Sequence, residues 1–263
     1  MTDNSEPLVS LIIPSWNNRA LLIECLISIF KSGSRLKTEI IVVDDASSDG
    51  TAEYIRNNFK EVKLIKNSLN EGFARSVNKG VEASNGEMIF LLNNDVIFIE
   101  DPIEKLAECL KRNKDAGAAA PLLYYPDGRF QISCRRFPTP AALILEKLRI
   151  NKLGHFKRWK LIEEEHLKGG YVPQPMASAI LIKRECWDAV GPFDERFPIF
   201  YNDVDWCYRV YKNTDYKIYL CTDVRMIHHA GATVETLKFR KKWEFYKGLI
   251  NFYLKHFPFK TEM

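Results

Sequence analysis

Short apolar runs alternate with polar loops and amphipathic segments through the first hundred residues. Four of these runs predict strands, and Met88–Leu92, which has no polar alternation, suits a strand that is buried on both faces of a sheet. The four runs are Leu8–Ile13, Glu39–Val43, Val62–Ile65 and Met88–Leu92. Between them, apolar residues recur at helical spacing, as in Ala20–Lys31, which Gly33 ends. This order predicts an α/β fold in which a mostly parallel sheet is flanked by helices.

The polar loops that follow these strands predict a binding site. The carboxyl ends of parallel strands lie along one edge of an open sheet, and ligands bind at that edge. We therefore expect four loops to gather there: Pro14–Asn18, Asp44-Asp45, Gly72–Arg75 and Asn93–Asp95. A plain turn or helix cap stays open as the alternative for each, because Asn, Asp and Ser favour both.

The second half of the chain is less regular. We predict a helix over Ile103–Lys111 capped by Asp101, strands over 116–123, 175–182, 217–221 and 224–227, a short helix over 185–190, and an amphipathic C-terminal helix from Trp243 to Phe257. Basic and aromatic residues are interleaved between Gln131 and Gly170. This segment is a mobile lid, an acceptor site, a membrane-facing patch or a solvated pair of helices, and all four interpretations stay open.

The composition narrows the class of protein. With 46% hydrophobic and 27% charged residues, the chain is able to bury a full core, and a net charge of +4 does not indicate nucleic-acid binding. The six cysteines contain no Cys-x-x-Cys pair, which favours small core residues in a reducing compartment over a zinc site or a disulfide framework. Without a visible signal peptide or membrane-spanning run, we expect a cytoplasmic protein that is able to contact the inner face of the cell membrane.

Three residues at separate strand and helix ends predict metal-assisted chemistry. Asp95 offers a hard oxygen and His228 an imidazole nitrogen, and two protein ligands suit a Mg²⁺ or Mn²⁺ ion that is bound together with a diphosphate. Asp203, at the start of a predicted helix, is a candidate general base. The alternative for Asp203 and for Asp205 is stabilisation of the helix N-terminus, and we expect Asp205 to be structural. His155, His166 and His256 have no partner pattern and are expected at the surface.

A series of motifs resembles family 2 glycosyltransferases of the GT-A fold, which are inverting enzymes that use nucleoside-diphospho-sugars. The motifs are Val9–Asn17, Ile41–Thr51, Asn70–Ala74 with Asn78 and Gly80, Phe90–Val96, Gly191–Glu195, Asn202–Asp205 and His228–Thr233. The pattern is most similar to bacterial rhamnosyl- and galactofuranosyl-transferase-like members of cell-surface polysaccharide pathways. It covers roughly Val9 to Thr233.

The resemblance implies a role for each matching residue. The nucleotide-sugar site would consist of Pro14, Ser15, Asn17, Asp44, Asp45, Gly72, Phe73, Asn93 and Asn94. Asp95 matches the metal-binding end of the family's Asp-x-Asp motif, His228 matches a histidine that helps to hold the metal, and Asp203 matches the proposed base. The implied donor is a UDP- or dTDP-sugar, and the implied acceptor is a glycan or lipid-linked saccharide.

Two departures from the family pattern bear on activity. Asn93 replaces the first acidic residue of Asp-x-Asp, and Asn202 replaces the glutamate before the base, which is expected to alter acceptor binding or the ionisation of Asp203. A non-catalytic nucleotide-sugar or glycan-binding subunit therefore stays open as an alternative. A nucleotidyltransferase is disfavoured because the loop Ser15–Arg19 is not glycine-rich. We expect one GT-A domain over residues 1–263, with a nucleotide-sugar half (1–100), an acceptor and catalytic half (101–235) and a C-terminal helix (236–263).

Overall fold

A computed structural model describes residues 9–139, 161–230 and 238–258 of the chain. Most of the basic segment predicted between Gln131 and Gly170 lies outside the described residues, as does His155. No helix in the described ranges is long and apolar enough to cross a membrane.

The first four strands form the parallel half of the sheet. They are β1 (Val9–Ser15), β2 (Thr38–Asp44), β3 (Val62–Lys66) and β4 (Met88–Leu92), in the spatial order β3-β2-β1-β4. Ile12 of β1 pairs with Ile41 on one side and with Leu91 on the other, so all three strands run in the same direction. The polar residues that follow β1, β2 and β4 therefore lie at one edge, as the sequence predicts.

The remaining strands extend this sheet and add a short second one. They are β5 (Val96–Phe98), β6 (Ala116–Tyr124), β7 (Phe130–Gln131), β8 (Cys134–Arg135), β9 (Gly170–Tyr171), β10 (Gln174–Pro175), β11 (Ala179–Lys183) and β12 (Lys217–His228). Beyond β4 the order is β11-β6-β12-β5. β6 and β12 are parallel, whereas β11 runs antiparallel to both β4 and β6. The predicted mostly parallel sheet is confirmed, and β11 begins at the edge where β4 ends because Ala179 pairs with Leu92.

Eight helices are present among the described residues. They are α1 (Arg19–Ser32), α2 (Thr51–Asn58), α3 (Phe73–Glu82), α4 (Pro102–Arg112), α5 (Glu163–Lys168), α6 (Arg184–Val190), α7 (Asn202–Asn213) and α8 (Lys238–His256). The predicted cap of α4 is confirmed, since the Asp101 carboxylate accepts a hydrogen bond from the Ile103 amide at 2.9 Å. The helices cover two core layers, one containing Leu22 and Leu106 and the other containing Val77 and Trp206.

A third apolar cluster fixes α8 to α7. Phe252 of α8 packs with Tyr201 and Tyr208 in this cluster. Beside it, the fully buried carboxylate of Asp205 contacts Lys255 Nζ at 2.6 Å and His256 Nε2 at 2.7 Å. The structural role expected for Asp205 is confirmed.

Four expectations from the sequence are wrong. His256 is not a surface residue because it pairs with Asp205, and His166 is fully buried and accepts a hydrogen bond from the Cys134 amide at 2.9 Å. Cys109 of α4 and Cys221 of β12 form a disulfide bond, while the other four cysteines are buried thiols. The two late strands are one strand, β12, with an irregularity in its pairing between Cys221 and Arg225. The strand predicted over 175–182 is split between β10 and β11 by a turn at Ala177 and Ser178.

Candidate active site

Asp95 and His228 meet at the carboxyl edge of the sheet. The chain turns directly after β4 and places Asp95 beside the end of β12, where the His229 amide donates to the Asp95 carbonyl oxygen at 3.0 Å. The Oδ1 atom of Asp95 lies 3.2 Å from Nε2 of His228, and both side chains are buried. The sheet therefore brings together the two residues that the sequence predicts as metal ligands.

Gln131 of β7 determines which nitrogen of His228 faces Asp95. Its side-chain oxygen Oε1 lies 2.7 Å from His228 Nδ1. An amide oxygen only accepts hydrogen bonds, so Nδ1 carries the hydrogen. In neutral imidazole, Nε2 then presents a lone pair toward Asp95, and Asn93 Nδ2 approaches the same nitrogen at 3.4 Å. Fixing the tautomer of a metal-binding histidine is the usual role of such a partner.

The contact between Asp95 and His228 fits a divalent cation. Oδ1 of Asp95 accepts no hydrogen bond from any described residue, and neutral His228 with its hydrogen on Nδ1 has none on Nε2 to donate to this oxygen. Two neighbouring ligands of an octahedral ion with bonds of about 2.1 Å are separated by about 3 Å, which matches the observed spacing. No group of three or more His, Cys, Asp or Glu residues in the described chain forms a larger metal site. The remaining coordination positions would therefore belong to a substrate and to water.

Asp203 lies in the first turn of α7 and is held by hydrogen bonds. Its Oδ1 accepts from the Val204 amide at 2.8 Å, and its Oδ2 lies 3.4 Å from Gln174 Nε2 and 3.4 Å from the Ala177 amide. Burial raises the pKa of the Asp203 carboxyl group above its ordinary value of 3.8, and the positive charge of Arg135 opposes part of this rise. A raised pKa makes the ionised carboxylate a stronger base.

Asn202 organises the turn that presents Asp203. Its side-chain amide donates to the carbonyl oxygens of Phe197 and Ile199 at 3.2 and 3.0 Å, and its Oδ1 accepts from the Asp203 amide at 2.8 Å. Tyr201 precedes it in the left-handed conformation, with a φ of 70°. The buried amide of Asn202 thus shapes the backbone around Asp203.

The two aspartates at the carboxyl end of β2, Asp44 and Asp45, have different surroundings. The carboxylate of Asp45 accepts hydrogen bonds from the amides of Glu71 and Gly72, at 2.8 and 2.9 Å, and from Asn67 Nδ2 at 2.8 Å. It therefore fixes the loop that leads into α3. Asp44 is fully buried, and its Oδ1 has no hydrogen-bond partner among the described residues. Asp44 is thus the member of the pair with an acceptor available to a ligand.

Loop contacts fix the other residues predicted to bind a nucleotide-sugar. Asn94 Nδ2 donates to Ser15 Oγ at 2.9 Å, which joins the ends of β4 and β1, and Asn17 Oδ1 accepts from the Ser48 amide at 2.7 Å. Pro14 is buried in β1. Gly72 has a φ of 90°, and a Cβ there would lie 3.0 Å from Pro198. Phe73 stacks with Phe193 at 6.5 Å between ring centroids.

The turn before β11 connects the two halves of the site. The Ser178 carbonyl oxygen accepts from the Asn93 amide at 2.8 Å, while the neighbouring Ala177 amide faces Asp203. Buried oxygen atoms without a hydrogen-bond partner in the described chain belong to the turn itself and to residues at or near strand ends: Ser178 Oγ, Gln174 Oε1, Asp95 Oδ1 and Asp44 Oδ1. Unpaired buried acceptors cost about 1–3 kcal/mol each, so their concentration at one edge indicates a site that is shaped for a ligand.

Comparison with known proteins identifies related sequences and folds. A family model described as glycosyl transferase family 2 matches residues 10–170. An N-acetylglucosaminyl-diphospho-decaprenol L-rhamnosyltransferase of Mycobacterium tuberculosis is 26% identical over 72% of this chain and 66% of its own length. A dTDP-rhamnosyl transferase of Shigella flexneri is 25% identical over 73% of this chain and 60% of its own length.

A solved structure supports the fold. The mannosyltransferase of Pyrobaculum calidifontis in complex with GDP-Man and Mn²⁺ superposes with a TM-score of 0.63, at 19% identity, over 96% of this chain and 64% of that one. The predicted GT-A fold is thereby confirmed. The chain spans about two thirds or less of the length of these three proteins.

Proposed function

Since this chain belongs to glycosyl transferase family 2, we propose that it is an inverting, metal-dependent glycosyltransferase. It would move a sugar from a nucleoside-diphospho-sugar to a hydroxyl group of a glycan or a lipid-linked saccharide. The observation that supports this most directly is the 3.2 Å contact between Asp95 Oδ1 and His228 Nε2, with Gln131 holding the other ring nitrogen.

Asp95 and His228 would hold a Mg²⁺ or Mn²⁺ ion against the donor diphosphate. A bound divalent ion offsets the negative charge that develops on a departing diphosphate. The mannosyltransferase with a similar fold contains Mn²⁺ together with GDP-Man, which supports the assignment of a divalent metal.

Asp203 would act as the general base. Its carboxylate takes the proton of the acceptor hydroxyl group, whose oxygen forms a bond to the anomeric carbon. On the opposite face, the bond between that carbon and the diphosphate oxygen breaks, and the nucleoside diphosphate leaves with the bonding electrons. The attack from the opposite face inverts the anomeric configuration. Burial helps because it raises the pKa of Asp203 and strengthens the base.

The nucleotide would lie along the ends of β1 and β2. Oδ1 of Asp44, which has no hydrogen-bond partner in the described ranges, is suited to accept a hydrogen bond from the nucleobase or the ribose. The loop fixed by Asp45 would present Gly72 and Phe73 to the base. Asn93 and Asn94 would shape the pocket for ribose and sugar. Because two relatives are named as rhamnosyltransferases, one of them as a dTDP-rhamnosyl transferase, dTDP-rhamnose is the first donor to test and UDP-sugars are the second.

A thermal-shift screen with nucleoside-diphospho-sugars, with and without Mn²⁺, tests this proposal. A true donor at a hundred times its Kd should stabilise the protein by about 2.7 kcal/mol, and only when Mn²⁺ is present. Incubation with the stabilising donor should then release the nucleoside diphosphate. Binding without any hydrolysis or transfer would favour the non-catalytic subunit, and release of pyrophosphate from a nucleoside triphosphate would favour a nucleotidyltransferase.

A further inference from the structure

The outward face of α8 is apolar, although the helix lies at the surface. Trp243, Ile250 and Leu254 are spaced by seven and four residues, which places them on one face of the helix. Their exposed fractions are 69%, 58% and 65%, and Tyr246 beside them is also exposed. We refer to these four residues as the outer stripe. It extends over about 16 Å of helix length.

The opposite face of α8 already serves to hold the helix on the protein. Phe252 is fully buried against Tyr201 and Tyr208, and a Cβ at Gly248 would lie 2.8 Å from the Tyr201 ring. Lys255 and His256 bind Asp205. The side of α8 that faces the core is therefore already packed, and the outer stripe is a separate apolar face of the helix.

The charge of α8 indicates what the outer stripe contacts. The helix sequence contains six lysines and arginines and one acidic residue, Glu244, which is buried. Lys241, Lys242 and Lys247 are exposed, and Lys242 and Lys247 lie on either side of the stripe. Two copies of the helix packed stripe to stripe would bring these like charges together. An anionic surface would instead attract the lysines while its apolar interior accepts the stripe.

We propose that the outer stripe of α8 docks the protein on an anionic lipid bilayer, with the helix lying in the plane of the membrane interface. Trp243 and Tyr246 suit this position, since their amphipathic rings favour the boundary between headgroups and acyl chains. Because α8 packs on α7, docking would place the helix that carries Asp203 next to the membrane. This inference does not depend on the identity of the sugar or the acceptor.

Co-sedimentation of the full chain with vesicles tests the proposal. Wild-type protein should sediment with vesicles of phosphatidylglycerol and phosphatidylcholine at low salt, and much less with phosphatidylcholine alone or in 0.5 M NaCl. Replacing Trp243, Ile250 and Leu254 by Ser should lower partitioning at least tenfold. The double variant K242Q/K247Q should lower it about thirtyfold, since each lysine near an anionic surface contributes about 1 kcal/mol.

Ile99→Ser provides the matched control, because Ile99 is an equally exposed apolar residue outside α8. It should sediment as the wild type does. Circular dichroism and donor hydrolysis verify that each variant is folded and active, so that loss of docking is distinguished from failure of the glycosyltransferase proposal. If a variant fails to fold, quenching of Trp243 fluorescence in the wild type by brominated acyl chains, compared with Trp243→Phe, provides the same test.

Three results would overturn the proposal. One is the absence of binding to anionic vesicles at low salt, and another is equal binding by the wild type and the serine variant. The third is a concentration-dependent dimer in sedimentation velocity that the serine variant abolishes, since the stripe would then be an interface between two copies of the chain.

Discussion

His228 presents Nε2 to Asp95 because Gln131 holds Nδ1 at 2.7 Å. The three side chains come from three different strand ends, and only the carboxylate and the imidazole would touch a metal. Gln131 is a positioning residue in this arrangement. Its effect on metal binding is therefore separable from that of the two proposed ligands.

Gln131→Met should lower the affinity for Mn²⁺ by about 10–100-fold, because the imidazole loses the hydrogen bond that fixes its tautomer. The measurement is a calorimetric titration of Mn²⁺ in the presence of the donor. Gln174→Met is the control, since Gln174 contacts Asp203 rather than His228. Unchanged Mn²⁺ affinity in Gln131→Met would show that His228 does not need this partner.

Asp95→Asn should abolish Mn²⁺-dependent donor binding without destabilising the metal-free protein. Its Oδ1 is buried and accepts no hydrogen bond from the part of the chain that the structure describes, so removing the negative charge relieves a cost of folding in the absence of metal. We expect the free energy of unfolding in EDTA to stay equal or rise by about 1 kcal/mol. Chemical denaturation of both proteins, with and without Mn²⁺, measures this, and a marked loss of stability in EDTA would contradict it.

Asp203→Asn should reduce kcat by about 10²–10⁴-fold and leave the donor Kd unchanged, because a general base acts only on the acceptor. The wild-type rate should fall as pH decreases, with a midpoint above the ordinary pKa of an aspartate, since burial raises the pKa of Asp203. Steady-state kinetics across a pH series test both statements. Transfer at the wild-type rate by Asp203→Asn would remove Asp203 from this role.

The same substitution has a predictable effect on stability. A carboxyl group whose pKa is raised in the folded state favours folding when it is protonated, and this contribution is lost as pH rises through the folded-state pKa. Asp203→Asn should therefore be at least as stable as the wild type at pH 7, while the two proteins should converge in acid. Urea denaturation at several pH values provides the measurement.

Asp205→Ala should destabilise the protein by about 3–5 kcal/mol, because it leaves Arg209, Lys255 and His256 without their buried partner. Burial alone would raise the pKa of Asp205, but hydrogen bonds from His256 and Lys255 and the Arg209 charge lower it. This contribution to stability is therefore present above the unfolded pKa of an aspartate and is lost as pH falls. Denaturation of Asp188→Ala, at an exposed carboxylate, is the control and should show little change.

The local sequence pattern predicts the strand ends that form the candidate site, but it does not predict the side chains that hold the site residues in place. The strands that end before Asp44 and Asn93 are visible in sequence because apolar runs and polar ends are local features. Gln131 and Gln174 cannot be identified from the sequence pattern, because each is a single amide side chain. The partner of Gln131 lies 97 residues away, and the partner of Gln174 lies 29 residues away. The wrong prediction of His166 and His256 at the surface has the same cause, because their partners, Cys134 and Asp205, lie 32 and 51 residues away.

The sequence pattern also does not determine the direction in which a strand runs. The apolar run that becomes β11 would look the same in a parallel or an antiparallel strand, because both of its faces are covered by core residues. Its direction follows from the short sheet of β8 and β10, which returns the chain to the edge where β4 ends. The pairing of Cys109 with Cys221 is similarly a product of tertiary structure, as 112 residues separate the two.

The turn at Ala177 and Ser178 limits how this protein can be engineered. One backbone group of the turn binds the amide of Asn93 and the next faces Asp203. A substitution that moves this turn should therefore displace parts of both proposed substrate pockets at once. Substitutions at these two positions that are intended to change acceptor choice should change the Michaelis constants of donor and acceptor together. Selectivity for one substrate alone has to be changed at other positions of the chain.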